Sequence, residues 1–359
     1  MKIAFLDLST RLGTIDDLKV RARGGMITSL FRVSDYLSRQ GHDVTVIAGI
    51  EAEGTTQDGV TWRKGYDGVQ YDVLILNRGI GDGYPYIRAR HRVLWTHDLP
   101  HDGFAPDPRN LRALSATVFM SRYGEGVWRT FYRTVGRGVL IPNGVDRDLF
   151  RPGVERDWHR IIFASAPNRG LKRVPLIFEG IRAKVPTARM DVYSNLQILH
   201  PAERPREPRD EEKDGWGGYD KARDGTEVAD PEGMTTLDPI PQVRFAEELG
   251  NCGLMLVPTD YPEICCNAYL QALACGVPVI TTGGVGSAGE WIRHGWNGMF
   301  TQFQPVDYMV YFLEMARNAI AVLSDSKLHR KMSAHATKTP GIYSWEEVGS
   351  RWDRTLRDL

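Results

Sequence analysis

Short apolar runs alternate with longer amphipathic segments through the first half of the chain. Continuous apolar runs of this length predict strands that are buried on both faces of a parallel sheet. They lie at 2–8, 43–49, 72–77, 92–96, 116–121 and 138–143. Between the first two runs, apolar residues recur at helical spacing, namely Met26, Leu30, Val33 and Leu37. Gly41 is placed to end that helix, and the order strand, helix, strand predicts a doubly wound α/β sheet.

The same alternation starts again near residue 151. Apolar runs predict the strands of a second parallel sheet at 160–167, 188–195, 252–259 and 277–284. Because 359 residues exceed the usual size of a single core, we expect one Rossmann-like domain over 1–150 and a second over 151–340. After residue 305 the patterns are all helical.

Two further segments stand apart from these domains. Residues 201–235 carry 17 charged side chains, which predicts a surface excursion rather than core. In the last segment, 341–359, apolar side chains share one helical face, namely Trp345, Val348, Trp352 and Leu356. We expect this terminal helix to dock on an apolar surface.

Composition narrows the classes of function. Lys and Arg number 45 and Asp and Glu number 45, so no net charge draws the chain toward nucleic acid. No apolar run reaches the roughly 18 residues of a membrane span, and the first residues turn polar too early for a signal peptide, which predicts a cytoplasmic protein. The four cysteines lie between 252 and 275 and fit neither a disulfide framework nor a zinc site, so we expect buried thiols.

Glu263 lies where a predicted strand gives way to a helix. The amides of Cys265, Cys266 and Asn267 are expected at the start of that helix. Helix-start amides at the carboxyl edge of a parallel sheet bind anions, and Glu263 beside them suits a hydroxyl-bearing group. The alternative is that Glu263 only complements the helix dipole, an effect worth about 0.3–1 kcal/mol.

A second strand-to-helix junction, ASAPNRGLKR at 164–173, carries cations. Ser165, Arg169 and Lys172 lie in a Gly-containing turn, where backbone amides and cationic side chains suit a diphosphate. The alternative is a solvated basic turn. Because both junctions belong to one predicted sheet they can face the same crevice, and this convergence favours a ligand.

Glycines open the first predicted helix. Gly24 and Gly25 would let a ligand approach the backbone closely. They end a basic loop, 11–23, that contains Arg11, Lys19, Arg21 and Arg23. This loop suits a phosphorylated or acidic ligand, or is simply solvated.

Two stretches suggest other chemistry. GVGSAG at 284–289 satisfies the dinucleotide pattern, with Asp307 about 20 residues on, but its place late in the second predicted domain disfavours a nicotinamide site. HDLPHD at 97–102 offers imidazoles and carboxylates, yet Pro100 breaks the helical spacing of a metal site. His97 is interpreted as a single hydrogen-bonding group at the ligand edge of the sheet or as a local turn histidine.

Together these motifs resemble the retaining family 4 glycosyltransferases of the GT-B fold, in the family's order and through nearly the whole chain. The most specific are IPNGVD at 141–146 and the glutamate-led segment at 258–276, and SAPNRGL at 165–171 is similar to the SSPxRGL loop of one subgroup. The resemblance implies two Rossmann-like domains facing across a cleft. The terminal helix, 341–359, would then cross back onto the first domain.

The resemblance also implies how the site is used. His97 would contact the donor sugar and Glu263 a sugar hydroxyl, beside the amides of Cys265, Cys266 and Asn267. Arg169 and Lys172 would bind the diphosphate, and Gly24 and Gly25 would lie near the distal phosphate and the acceptor. The base would lie at 240–245, and Glu290 would be structural.

Two positions depart from the family's pattern. A second glutamate that contacts the ribose is replaced here by Gln271, whose amide still bonds hydroxyls and whose spacing from Glu263 predicts one helical side. An arginine common before the basic residue of the donor loop is replaced by Ala164.

The implied activity is retaining transfer of a hexosyl or N-acetylhexosaminyl unit from a UDP- or GDP-sugar to an acceptor hydroxyl in carbohydrate biosynthesis, with no metal or other cofactor. The acceptor is left open between a saccharide, a lipid-linked molecule and a small molecule, and peripheral contact with a membrane is compatible. The alternatives are a nucleotide-sugar epimerase or hydrolase, and a binding protein whose catalysis is impaired by Gln271 and Ala164.

Overall fold

Two large parallel sheets and one short pair of strands make up the fold. The computed structural model describes residues 1–12, 18, 21–50, 53–56, 58–79, 86–100, 107–194, 230–302 and 308–359. Most of the predicted excursion, 201–229, lies outside the described residues. Its last two residues belong to a strand at the edge of the second sheet, because Met234 is buried there.

The first sheet follows the predicted alternation of strand and helix. Its strands are β1 (Lys2–Leu12), β2 (Asp43–Ile50), β3 (Gly54–Thr55), β4 (Thr61–Arg63), β5 (Tyr71–Asn77), β6 (Ala89–Trp95), β7 (Ala116–Phe119) and β8 (Arg137–Leu140). Their order is β3-β4-β2-β1-β5-β6-β7-β8, and every neighbouring pair is parallel except β3 with β4. The carboxyl ends of the parallel strands therefore share one edge.

The second sheet is parallel throughout its described strands. After β9 (Gly144–Val145) come β10 (Asp157–Phe163), β11 (Arg189–Tyr193), β12 (Met234–Leu237), β13 (Cys252–Val257), β14 (Val279–Gly283) and β15 (Gly298–Gln302). The order is β12-β11-β10-β13-β14-β15. All six residues of β13 are buried, as expected of a central strand with helices on both faces.

Helices cover the faces of both sheets. They are α1 (Gly25–Arg39), α2 (Pro108–Leu111), α3 (Arg122–Phe131), α4 (Val174–Arg182), α5 (Gln242–Gly250), α6 (Asn267–Ala274), α7 (Tyr308–Ser324), α8 (Ser326–Ala336) and α9 (Trp345–Arg357). In α1, the predicted core residues Leu30, Val33 and Leu37 are buried. Met26, predicted on the same face, is only half-buried because it lies at the helix start, where it lines a cleft.

The terminal helix α9 returns to the first sheet. Ser344 and Glu347 form a capping box at its start, and Trp352 packs edge-on against Trp95 of β6 with ring centroids 4.8 Å apart. Just before it, β16 (Tyr343–Ser344) pairs with β9. The expectation of purely helical structure after residue 305 was therefore wrong, because a two-residue strand leaves no periodic pattern.

Two expectations from composition can be compared with the structure. The four cysteines are buried free thiols, as predicted. Across the part of the chain that the structure describes, no helix combines the length and the apolar character needed to cross a bilayer.

Candidate functional site

A cleft of about 440 Å³ is lined by residues that follow strand ends in both sheets. It contains all but one of the predicted site residues: Gly24, Gly25, His97, Ser165, Arg169, Glu263, Cys265, Cys266, Asn267 and Gln271. Lys172 is the exception, since its side chain is exposed and does not line the cleft. The structure thus brings residues from widely separated parts of the sequence to one site.

The turn after β10 holds Arg169 at the cleft. Gly170 has φ 93°, and a Cβ there would lie 2.0 Å from the carbonyl oxygen of Pro258. Only glycine therefore allows this turn to pack against the loop that follows β13. The carbonyl oxygen of Ser165 accepts a hydrogen bond of 2.8 Å from the Ser194 hydroxyl, which ties the turn to the end of β11.

Arg169 and Glu263 form an ion pair inside the cleft. Nε of Arg169 lies 2.5 Å from Oε1 of Glu263, and the two side chains are 17% and 22% exposed. The guanidinium also lies over the ring of Tyr261, 3.5 Å from its centroid. Burial acts to lower the pKa of Arg169, but the charge and the hydrogen bond of Glu263 outweigh it, and the pKa is raised above its ordinary value.

The GVGSAG stretch supports the loop that carries Glu263. Gly286 has φ 61°, and a Cβ there would lie 2.6 Å from the backbone nitrogen and the carbonyl oxygen of Glu263. The amide of Ser287 donates a hydrogen bond of 2.8 Å to that carbonyl. Asp307, the acidic residue weighed for a dinucleotide site, lies outside the described residues.

The helix expected directly after Glu263 begins only at Asn267, with Cys266 as its N-cap. The spacing of Glu263 and Gln271 had predicted that both lie on one side of a helix. Because Glu263 precedes the helix, that prediction was wrong, although both residues line the cleft. The first amides of α6 have no intrahelical partner and carry partial positive charge. Burial raises the pKa of the Cys265 thiol to about 12, which keeps it uncharged.

Gly25 lies against Asn267, which is on the side of the cleft formed by the second sheet. A Cβ at Gly25 would lie 2.7 Å from Nδ2 of Asn267, so a side chain there would push α1 away from α6. Asn143, from the IPNGVD motif, donates to Oδ1 of Asn267 at 2.7 Å and accepts from the hydroxyl of Ser29 at 2.9 Å. No described atom comes within 4 Å of the Cβ position at Gly24, so the backbone there is open to a ligand.

His97 lies on the first sheet's wall. Its ring is 4.6 Å from that of Trp95, and Nε2 lies 2.8 Å from Oδ1 of Asn77. Burial, with a smaller contribution from the charge of Arg78, lowers the pKa of His97 to about 3, so the imidazole is neutral at physiological pH. The other imidazole of HDLPHD, His101, lies outside the described residues.

Other lining residues were not predicted from the sequence. Arg78 is a non-glycine residue with φ 76°, and its Nε lies 2.5 Å from Oδ2 of Asp98. Nothing in the sequence marks that backbone conformation. The ring of Tyr193 lies 6.3 Å from that of Phe245, and both line the cleft. Phe245 and Ile240, which also lines it, belong to the segment 240–245 that was expected to hold a base.

Among the basic side chains of the loop 11–23 that the structure describes, only Arg23 lines the cleft. Arg21 is exposed, and the structure describes neither Lys19 nor the side chain of Arg11. In the described part of the chain, no three His, Cys, Asp or Glu side chains group as metal ligands.

Glu290 joins the two halves of the molecule through hydrogen bonds to α3. Its carboxylate accepts hydrogen bonds from the first backbone amides of α3, at 3.0 Å from Arg122 and 2.9 Å from Tyr123. It thereby satisfies amides that the helix itself leaves unpaired and places negative charge at the positive end of the helix dipole.

No protein-family description and no curated protein sequence matches the chain. Several solved structures, in contrast, are similar to the chain. A sucrose-phosphate synthase from Thermosynechococcus elongatus has a TM-score of 0.73 at 15% identity, over 100% of this chain and 99% of that one. The protein has the GT-B fold. This confirms the predicted fold class, and the cleft described above is the one between the two sheets of this GT-B structure.

Two further GT-B structures are similar at equally low identity. HepE from Anabaena, solved in complex with UDP and glucose, has a TM-score of 0.68 at 16% identity, over 100% of both chains. The pneumococcal O-GlcNAc transferase GtfA, solved with UDP and GlcNAc, has a TM-score of 0.72 at 10% identity, over 100% of this chain and 99% of that one. At these identities the likeness establishes the GT-B fold of this chain.

Proposed function

We propose that the protein is a glycosyltransferase that moves a sugar from a nucleotide-diphosphate sugar to an acceptor hydroxyl with retention of anomeric configuration. The observation that carries this proposal is the Arg169–Glu263 pair, which lies in a cleft that both sheets line. Arg169 and the amides of Cys265, Cys266 and Asn267 would hold the diphosphate, and Glu263 would bind a sugar hydroxyl.

The proposed reaction breaks the bond from the anomeric carbon to the diphosphate and forms a bond from that carbon to the acceptor oxygen. Negative charge gathers on the leaving diphosphate, where a fixed guanidinium and helix amides stabilise it without a metal ion. The acceptor attacks from the side of the phosphate, and its proton passes to a phosphate oxygen. The sugar therefore keeps its configuration.

The carboxylates that line the described cleft support this route over a double displacement. They are Glu263 and Asp98, and each is bound by an arginine at 2.5 Å, Arg169 and Arg78 respectively. A retaining glycosidase pair instead needs one carboxylate aimed at the anomeric carbon and a second to protonate the leaving group. We therefore assign Glu263 to orienting the sugar.

UDP-sugars are the donors that we favour, since HepE and GtfA were both solved with UDP. Tyr193, Ile240 and Phe245 would enclose the base, and Gln271 would bond the ribose. A thermal-shift comparison of UDP-glucose, UDP-GlcNAc and GDP-mannose tests this, because a ligand at 100 times its Kd stabilises the folded state by about 2.7 kcal/mol. Stabilisation by GDP-mannose alone would overturn the base assignment.

Turnover with the donor that binds separates the remaining alternatives. Transfer to a mixed panel of saccharide, lipid-linked and small-molecule acceptors, with the donor's anomeric configuration kept in the product by NMR, is the expected result. Release of free sugar at a rate that no acceptor improves would identify a hydrolase or epimerase. Tight donor binding without any turnover would identify a binding protein, which the replacements Ala164 and Gln271 at the cleft would explain.

A further inference from the structure

Two buried polar side chains lie behind His97, at the last paired position of the neighbouring strands β1 and β5. Asp7 of β1 is 2% exposed and Asn77 of β5 is 1% exposed, and the two residues are direct partners in the parallel pairing of these strands. Burying a carboxyl group and an amide is costly unless their hydrogen bonds are made. The bonds that they make run toward His97.

The directions of these bonds are fixed by chemistry. Asn77 donates through Nδ2 to Oδ2 of Asp7, which leaves Oδ1 of Asn77 to face Nε2 of His97 at 2.8 Å. An amide oxygen only accepts, so Nε2 of His97 must carry the hydrogen. A neutral imidazole holds one hydrogen, and its Nδ1 therefore carries the lone pair.

The remaining neighbours keep His97 neutral and fix the plane of its ring. Trp95 lies against the ring at 4.6 Å. The positive charge of Arg78 disfavours a second proton, and burial acts in the same direction on the pKa of His97. Asp98, the nearby carboxylate, is occupied by Arg78 at 2.5 Å.

We propose that Asp7 and Asn77 are positioning residues that fix His97 as the Nε2–H tautomer, so that its Nδ1 accepts a hydrogen bond from a hydroxyl of the donor sugar. The inference rests on the proposed function for the identity of that hydroxyl group. It adds a specificity to the site, since His97 then selects a group that donates a hydrogen bond at this point of the sugar. A fluorine in place of that hydroxyl would not bind.

The tautomer is read directly by nitrogen NMR of the full chain labelled with ¹⁵N-histidine. His97→Gln identifies the signals of His97. The expected spectrum has a protonated Nε2 and an unprotonated Nδ1 that do not change between pH 5 and 8. Asp7→Asn removes the group that orients Asn77, and a second tautomer should then appear. A wild-type spectrum with the hydrogen on Nδ1 would overturn the inference even if Asp7→Asn fails to fold.

Ligand titrations test the sugar contact. UDP-glucose, or whichever UDP-sugar binds, should shift the Nδ1 signal of His97, whereas UDP alone should not. His91, on the strand that leads to His97 but not among the residues that line the cleft, is the internal control. Asp7→Asn should weaken binding of the UDP-sugar about tenfold and leave binding of UDP unchanged, a split that a purely structural defect would not give.

The outcomes distinguish the two proposals. Binding of a UDP-sugar with no change at Nδ1 would overturn the sugar contact while leaving the proposed function standing. Failure of every nucleotide sugar to bind would overturn the proposed function and this sugar contact together, although the tautomer would still be readable.

Discussion

The second sheet's wall of the cleft carries the ion pair of Arg169 and Glu263 on loops, and we call it the charged wall. The first sheet's wall carries the neutral His97 beside the Arg78–Asp98 pair, and we call it the neutral wall after that histidine. Arg169 and Glu263 belong to turns that depend on glycines for their close packing. His97 is held instead through Asn77, whose position is set by sheet pairing. The proposed function assigns the diphosphate to Arg169 on one wall and a sugar hydroxyl to the neutral His97 on the other.

The largest expected effect comes from removing the cation of the charged wall. Arg169→Ala should lower turnover about 100- to 1000-fold, because it deletes a preorganised positive group at the leaving diphosphate. Steady-state kinetics with the donor that binds measures the loss, and circular dichroism checks that the fold is kept. Turnover within tenfold of wild type would remove Arg169 from the mechanism and with it the contrast between the walls.

The neutral wall is tested by the pH dependence of stability. Because the pKa of His97 is lowered to about 3 in the folded state, the unfolded state binds an additional proton as the pH falls below about 6.5. This histidine should therefore cost about 1.4 kcal/mol of unfolding free energy per pH unit between about pH 6 and pH 3.5. Above pH 7 it should cost nothing.

Denaturant titrations of wild type and His97→Gln at pH 7, 5.5 and 4.5 isolate this contribution. The variant lacks the titrating group, so the difference between the two proteins should change as the pH falls. Parallel stability curves would mean that His97 titrates normally and that the first wall is not held neutral.

A smaller effect is expected where the two walls are joined. Glu290→Ala removes the carboxylate that accepts hydrogen bonds from the first amides of α3 and should destabilise the folded state by about 1 kcal/mol. Glu290→Gln retains one accepting oxygen and is the matched control, with about half the loss. Thermal unfolding measures both, and equal midpoints for the alanine variant and wild type would contradict a role in joining the walls.

The smallest effect is expected at the residue that the sequence placed in the site and the structure does not. Lys172 is exposed outside the cleft, and solvent-exposed charges contribute little. Lys172→Ala should change turnover by less than about threefold. A loss comparable to that of Arg169→Ala would show that the charged wall extends over the outer face of this turn.

The charged wall was also the easier one to predict from the sequence. Arg169, Glu263 and Gln271 stand in loops and helix starts next to apolar strands, where residue type and spacing carry the signal. The helix start was misplaced to the residues directly after Glu263, because that loop is itself apolar. Lys172 does not line the cleft because of the direction of its side chain, and the spacing of residues in a sequence does not predict that direction.

The residues that hold His97 on the neutral wall could not be predicted from the sequence in the same way. Asp7 lies within β1 and Asn77 ends β5, which is distant in sequence, so their contact depends on strand order and register. Arg78 adopts a left-handed backbone conformation that is uncommon for its residue type. The two-residue strands β9 and β16 are likewise set by tertiary pairing rather than by local preference.

The stack of Trp352, Trp95 and His97 has a consequence for recombining halves of such proteins. Trp352 comes from the terminal helix, yet it packs under the strand that leads to the cleft histidine on the first sheet. In a chimera that exchanges residues 1–150 alone, the residue at position 95 would come from one protein and its packing partner at position 352 from the other. The exchangeable unit is therefore discontinuous, and α9 should travel with the first half.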